Sequence, residues 1–484
     1  MHLLNNKTFW LTIAGTQSLY WLSLLGYLNP TVNHIWFIIL TGSVLMFSVA
    51  NLRWGLNILL LEMVINSKGY LFFIPIGDFN LSLRITLWSV IILVFFSQFL
   101  KSGLLQKIQA QYKKPLTKPL LVLAIAIIFG LLAGILNHNN WSNIFFDANG
   151  WLYWLLILPW LFFYSKEDFK KLWPALAGAL TTLALGSLAT LYTFSHNFLD
   201  SNSIFYGWLR DNGLGEITMM SGNFYRVFFQ AHIWFLPAIF TIWLYWMLKI
   251  KQNNWHNWLT TSGLAALWLA PILTGLSRSY WVGLFIGWVL IGLLAIYKKI
   301  PGKRWLMGQL WLVSVGALAF LMILITVKFP WPTSQVGFST DILTDRTEIT
   351  SEAGAASRWA LWPKLWQSIS TKPFGAGFGT TVTYKSSDPR VLDKDPSGSY
   401  TTFSFEWGWL DIWLKTGPLG FIAYLWLLIL TTYLAWNKND WLTWSLVIGF
   451  LVIAAVNFFS PYFNHPLGIA YFILLITYLN NSSE

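Results

Sequence analysis

The sequence predicts an all-α membrane protein: a polytopic helical bundle of about 12–14 transmembrane helices interrupted by one large polar insert. Hydrophobic residues make up 56% of the 484-residue chain and charged residues only 10%, more apolar surface than a soluble protein of this length can hide. Apolar runs recur at roughly the 20-residue length that a hydrocarbon core of about 30 Å requires. Lys-rich loops alternate with Lys-poor ones, the pattern of a chain threading back and forth across a bilayer.

In order, the apolar runs fall near 8–28, 34–51, 54–73, 83–101, 118–136, 150–164, 172–195, 229–249, 259–276, 279–297, 305–327, 409–436, 441–459 and 465–481, with boundaries least defined in residues 1–75. The first, Phe9 to Leu28, is long enough to span and is followed by others, so it reads as a transmembrane helix and not as a cleaved signal. Three units follow: helices in 1–327, an extracytoplasmic loop with short helices in 328–408, and C-terminal helices in 409–484. There is no cysteine, which excludes disulfides and thiolate metal sites. The 32 tryptophans exceed what interfacial belts need, so many should pack between helices or line a groove.

Loops holding Lys107, Lys113, Lys114 and Lys118, then Lys166, Lys170 and Lys171, then Lys249 and Lys251, then Lys298, Lys299, Lys303 and Arg304 are cytoplasmic by the positive-inside rule. Both termini are then inside, and 196–228 and 328–408 face out. Of nine arginines only Arg53 and Arg304 fall inside; Arg84, Arg210, Arg226, Arg278, Arg346, Arg358 and Arg390 fall outside, where topology disfavours cations. Topogenesis needs charge alone, whereas arginine adds a planar fork matched to phosphate oxygens. The outer arginines either pair with the outer acids Asp200, Asp211, Glu216, Asp345 and Glu348, or line a site for a phosphorylated substrate.

Individual residues sharpen the second reading. Arg278 sits in LTGLSRSYWVGL, a turn too short to carry a loop, which should hold it over the bundle; a lone arginine at a helix end also snorkels. Arg358 falls within an apolar arc of Trp359, Leu361, Trp362, Leu365, Trp366 and Ile369 at 100° per residue, so a helix here should carry its guanidinium toward protein, with Pro363 kinking or restarting it. Without a ligand the same pattern reads as an interfacial amphipathic helix. Gly375 and Gly377 in PFGAGFG follow no strand and are no dinucleotide fingerprint; they should form a tight turn that brings backbone N–H groups to an anion or sugar. Glu406, among Phe405, Trp407 and Trp409, should be partly desolvated and suited to accept a proton, or else is a helix N-terminal acid favoured by the dipole. Glu62, inside an apolar run, should pair with Arg84. His138, His196, His232 and His465 are scattered without ligand spacing, so no metal site is expected, nor any nucleic-acid partner.

Arg278 in a short outer turn, an outer loop with R-x3-W-x10-P-x-G-x-G (Arg358, Trp362, Pro373, Gly375, Gly377) and a helix carrying G-x-x-G (Gly417, Gly420) together resemble the O-antigen ligase and polysaccharide polymerase family over 275–425. The resemblance implies transfer of a glycan from an undecaprenyl diphosphate carrier to an acceptor at the outer face of the cytoplasmic (inner) membrane. The partners implied are a polyprenyl diphosphate-linked glycan donor, a glycan or lipid acceptor and membrane lipids, with no metal or nucleotide cofactor. Arginines hold the diphosphate, here Arg278 and Arg358, with Arg210 and Arg226 further candidates. In the ligases a histidine about eleven residues before the first glycine of G-x-x-G is the presumed base; that register lands on Glu406, with Trp407 where asparagine is common. A lipid-linked glycan flippase is the competing class, but transporters usually carry internal repeats and a midplane site, and neither is evident here.

The topology is directly testable, because the chain has no native cysteine. Ser387→Cys should react with an impermeant thiol reagent in intact spheroplasts and Lys114→Cys should not; the reverse pattern would invert the assignment.

Overall fold

The structure is a computed structural model that describes residues 3–77, 79–101, 109, 111–220, 224–249, 255–330, 353–438 and 440–481. It is a multi-pass helical bundle. Among the described residues, eight helices are long and apolar enough to cross a membrane, and four shorter apolar ones accompany them: Leu83–Phe99, Trp258–Thr274, Trp441–Val456 and Pro466–Asn481. With Lys7–Leu28 and Leu52–Ile65, every expected span has its helix. Arg346, with Asp345 and Glu348, and the loop lysines Lys107 and Lys251 lie outside the described residues.

Asparagine punctuates the first three helices. Asn29 ends Lys7–Leu28 and its side chain accepts from Thr31 N at 3.0 Å to start Pro30–Ala50. Asn51 repeats the device, accepting from Arg53 N at 3.1 Å to start Leu52–Ile65. A short polar side chain that caps the next helix lets the chain reverse through one residue. The expected span 54–73 is cut short at Ile65, giving a helix of 14 residues, about 21 Å and less than a bilayer core. Residues after it turn into the hairpin Phe73–Ile76/Phe79–Ser82.

What lets a helix stop inside the bundle is Arg84. Its Nε donates to Glu62 Oε2 at 2.7 Å, its Nη2 to Asn66 O at 2.6 Å and its Nη1 to Ser67 O at 3.0 Å. One guanidinium thus neutralises a buried carboxylate and satisfies carbonyls just past the helix end, groups that cannot be left bare at this depth. The expected Glu62–Arg84 pair is present.

Hydrogen bonds define two ends of the bundle. At one, Ser67 Oγ donates to Leu214 O (2.6 Å) and accepts from Ala231 N (3.2 Å), Arg226 Nε donates to Gly275 O (2.9 Å), and the Ser279 and Ser460 hydroxyls lie 3.2 Å apart. At the other, Arg53 pairs with Asp168 at 3.0 Å, Lys114 Nζ donates to Asn480 O at 3.0 Å, and Lys438 Nζ to Leu479 O at 2.5 Å. Lys114 and Lys438, with Arg53, therefore mark one end, and Arg84, Arg226, Arg278 and Arg358 the opposite one. Small hairpins Glu216–Met219/Tyr225–Phe228 and Val382–Lys385/Ser399–Thr402 decorate the arginine end. The insert also carries the helix Ala353–Thr371, which runs through Pro363 without a break. Interhelical tryptophans do occur: Trp243, Trp268 and Trp311 are fully buried, and Trp311 Nε1 donates to Ser262 Oγ at 2.8 Å.

Arg84 is 2% exposed and Glu62 6%. Arg84→Met should therefore strand a buried carboxylate and uncapped carbonyls, lowering stability by about 3–5 kcal/mol, read as a fall in thermal midpoint in detergent. An unchanged midpoint would remove the pair from the structural frame.

Candidate active site

The turn between Trp441–Val456 and Pro466–Asn481 organises the arginine end. Asn457 Oδ1 accepts from both Tyr462 N (2.8 Å) and Phe463 N (2.9 Å), folding residues 457–463 into a compact loop. Ser460 then meets Ser279, one residue beyond Arg278. The Tyr462 and Tyr280 hydroxyls lie 2.5 Å apart, and each approaches Gln230 O at 3.2 Å. Arg278 is the first residue of the Arg278–Tyr297 helix and is part-buried. Arg226 reaches the same turn from its hairpin through Gly275 O, with its guanidinium 4.9 Å from the centre of the Phe228 ring. Arg210 stands apart: it is exposed in the last turn of Ile204–Asp211 and, among the described residues, makes no ion pair with these groups.

The other half comes from the insert. Arg358, on Ala353–Thr371, forms an ion pair with Glu406, and Trp407 Nε1 donates to Arg358 O at 2.8 Å. The burial expected for the Glu406 carboxylate is absent: its side chain is 50% exposed, because Phe405 and Trp407 turn into the protein on either side of it. Tyr384 stands close by; burial, then the Glu406 charge, push its phenol up to about 12. Phe459 packs against Trp407 with ring centres 5.6 Å apart, one residue from the Ser460 that meets Ser279. The 457–465 turn thus joins the Arg226–Arg278 side to the Arg358–Glu406 side. His465, at its end, is mostly buried; burial first, then the Arg84 and Lys68 charges, push its imidazole down to about 3, which leaves it uncharged at neutral pH.

Gly375 and Gly377 sit where contact, and not anion binding, explains them. Gly375 N donates to Lys372 O (2.9 Å), Ala376 N to Leu414 O (2.6 Å), Phe378 N to Gly130 O (2.9 Å) and Gly379 N to Asp147 Oδ2 (2.9 Å), so these N–H groups are already engaged by protein. Gly377 has φ +83°, and a Cβ there would lie 2.0 Å from Gly134 N. Only glycine lets the loop press this closely onto the Thr117–Leu136 helix. Its other wall is the Gly408–Lys438 helix at Gly417, where φ is +69° and the helix kinks before Pro418.

Beneath this loop is a group that sequence reasoning passed over. Lys415 Nζ lies 2.6 Å from Asp147 Oδ1 and 2.6 Å from Asp411 Oδ1, and the lysine and Asp411 are essentially inaccessible. Asn464 donates to the second Asp411 oxygen, and Gly379 N to the second Asp147 oxygen. The signal was present: Asp411 and Lys415 are four apart in one apolar helix, and Asp147 stands alone in another. Charges in such runs call for partners.

Residues 262–425, about a third of the chain, match the family model for O-antigen ligase. This stretch belongs to the O-antigen ligase family. The ligase region holds Arg278, Arg358, Gly375, Gly377, Glu406, Asp411 and Lys415, and nearly coincides with the 275–425 of the sequence resemblance. Arg226, Asp147 and the 457–465 turn reach the ligase region from outside it. No curated protein matches the chain.

Lys415→Met should leave two facing carboxylates buried without a cation, costing about 3–5 kcal/mol and most of the folded yield by size-exclusion chromatography. Combining it with Asp147→Asn and Asp411→Asn should recover much of that yield. Wild-type behaviour of Lys415→Met alone would show that the group carries no structural load.

Proposed function

We propose that this protein transfers a glycan from a polyprenyl diphosphate carrier to an acceptor hydroxyl at the outer face of the cytoplasmic membrane. What supports the reading is the 457–465 turn, which contacts Ser279 beside Arg278 on one side and Trp407 beside the Arg358–Glu406 pair on the other, largely within the stretch that matches the O-antigen ligase model. The donor's bond between its anomeric carbon and the diphosphate oxygen breaks, and the electron pair leaves on the diphosphate. Guanidinium groups stabilise that charge as it develops. The acceptor oxygen attacks from the opposite face, inverting the anomeric carbon, and its proton passes to a carboxylate.

Glu406 is our candidate for that carboxylate, and its pairing with Arg358 gives it a resting partner. A diphosphate arriving at Arg358 competes for the same fork. Exchange of the carboxylate for a phosphate oxygen then frees Glu406 as the donor binds, so the base is released only when there is something to activate. Because the pair is 38% and 50% exposed, breaking it is worth at most about 1 kcal/mol of stability, and its loss should register in turnover and not in folding.

Glu406→Gln keeps shape and hydrogen bonding but cannot take a proton, so glycan transfer to acceptor should fall by about 10² or more while lipid-donor binding survives. Wild-type turnover would move the base elsewhere, with His465 the first residue to examine. Arg278→Lys should be nearly as damaging as Arg278→Ala, since lysine keeps charge but loses the fork. Full activity in the lysine variant would reduce Arg278 to an anchor.

A further inference from the structure

The exposed side of the Ala353–Thr371 helix is not uniform. Leu361, Leu365 and Ile369 are buried against Val382, Phe405 and Leu414, which fixes the protein-facing sector. At 100° per residue, Trp359, Trp362 and Trp366 fall together in a sector about 60° wide on one flank of that face. Lys364 and Gln367 occupy the other flank. The three indoles are 51%, 38% and 52% exposed, and Phe374, just past the helix, is 75% exposed. A helix dividing into protein, aromatic and polar sectors has the pattern of one lying at a boundary between three media.

The aromatic flank is continuous with the lipid-facing belt. A Cβ on Gly417 would meet Phe374 O at 2.2 Å, so Phe374 sits at the kink of Gly408–Lys438. Beyond that kink the helix exposes Leu419, Ile422, Trp426 and Ile429 in one stripe. Trp413 Nε1 donates to Pro373 O at 3.2 Å and closes the corner between the two surfaces. Lys372, beside Phe374, supplies a cation where anionic headgroups lie.

We propose that the Trp359, Trp362, Trp366 and Phe374 surface is a docking face for the bilayer, seated at the boundary between headgroups and acyl chains. Indoles suit that depth, being apolar in body and polar at the N–H. The belt on Gly408–Lys438 runs directly into this face, whereas a platform for a soluble glycan would be bounded by polar surface. Membrane contact here sets the height of Arg358, one residue before Trp359, and so of the Arg358–Glu406 pair. The pair lies where a lipid-linked diphosphate and a hydrated acceptor can both reach it; this consequence, unlike the docking face itself, rests on the proposed glycan transfer.

The cysteine-free chain permits single-site nitroxide labelling in lipid nanodiscs containing phosphatidylglycerol. Labels at Trp366→Cys and Phe374→Cys, the most exposed positions, should collide several-fold more with oxygen than with a water-soluble nickel chelate. Labels at Lys364→Cys and Gln367→Cys should show the opposite preference. Nickel access at 366 and 374 equal to that at 364 and 367 would overturn the proposal, and is what a glycan platform predicts. Low access to both reagents would also overturn it, since the face would then be covered by protein. Neither readout involves turnover, so the docking face stands or falls independently of the glycan-transfer reading.

Discussion

Lys415, held between Asp147 and Asp411, is the interaction on which the arginine end of the bundle depends. Two carboxylates at 2.6 Å from one ammonium, with Lys415 and Asp411 almost inaccessible, cannot be relaxed by solvent. Each member belongs to a different piece of structure or fixes one. Asp147 lies in Trp141–Leu152 and takes Gly379 N from the glycine loop; Asp411 takes Asn464 from the 457–465 turn; Lys415 stands two residues before the Gly417 kink. The loop follows the helix that carries Arg358, and the kinked helix begins two residues after Glu406. The separation of Arg358 and Glu406 is therefore set by a charge cluster that neither residue touches.

A second buried pair does the same for the other side. Arg84, by ending Leu52–Ile65 early, holds Ser67 where its hydroxyl joins Leu214 to Ala231. Gln230, the residue before, offers its carbonyl to Tyr280 and Tyr462. Tyr280 is two residues from Arg278, so the arginine's height rests on a chain of contacts that starts at a shortened helix. Buried ion pairs are poor sources of net stability, because desolvation offsets the attraction. They are severe, however, about geometry, since one missing partner leaves a charge in apolar surroundings. Both pairs sit where two elements must keep a fixed relation at the candidate site.

The helices were legible in the sequence because membrane spans announce themselves by length and apolarity. Pairing was legible once, for Glu62 and Arg84, where both charges lie in neighbouring spans. It was missed for Asp147, Asp411 and Lys415: the four-residue spacing of Asp411 and Lys415 was there to read, but Asp147 is 268 positions from Lys415 and nothing in the sequence joins it to them. The early end at Ile65 was missed for a related reason: Leu71–Phe73 resume the apolar run after Asn66, Ser67, Lys68 and Gly69, and hydropathy does not register a guanidinium arriving from the next span. Gly375 and Gly377 were read as a tight turn approached by an anion or sugar. What approaches them is a helix backbone, which glycine spacing alone does not distinguish from a ligand.

Glu406 was singled out by register, and its setting differs from the one expected. Aromatic neighbours in sequence do not enclose a side chain when they point away from it, and Phe405 and Trp407 fill the small core beneath the Ala353–Thr371 helix. The carboxylate is left at the surface with Arg358, Tyr384 and water. An exposed ion pair of this kind is weak and exchangeable, in contrast to the rigid clusters below it. That contrast is the functional logic we read in this end of the molecule. Charges that position are buried and satisfied within the protein, whereas the pair we propose for chemistry, Arg358 with Glu406, is kept accessible, and an incoming phosphate can take the carboxylate's place on the guanidinium.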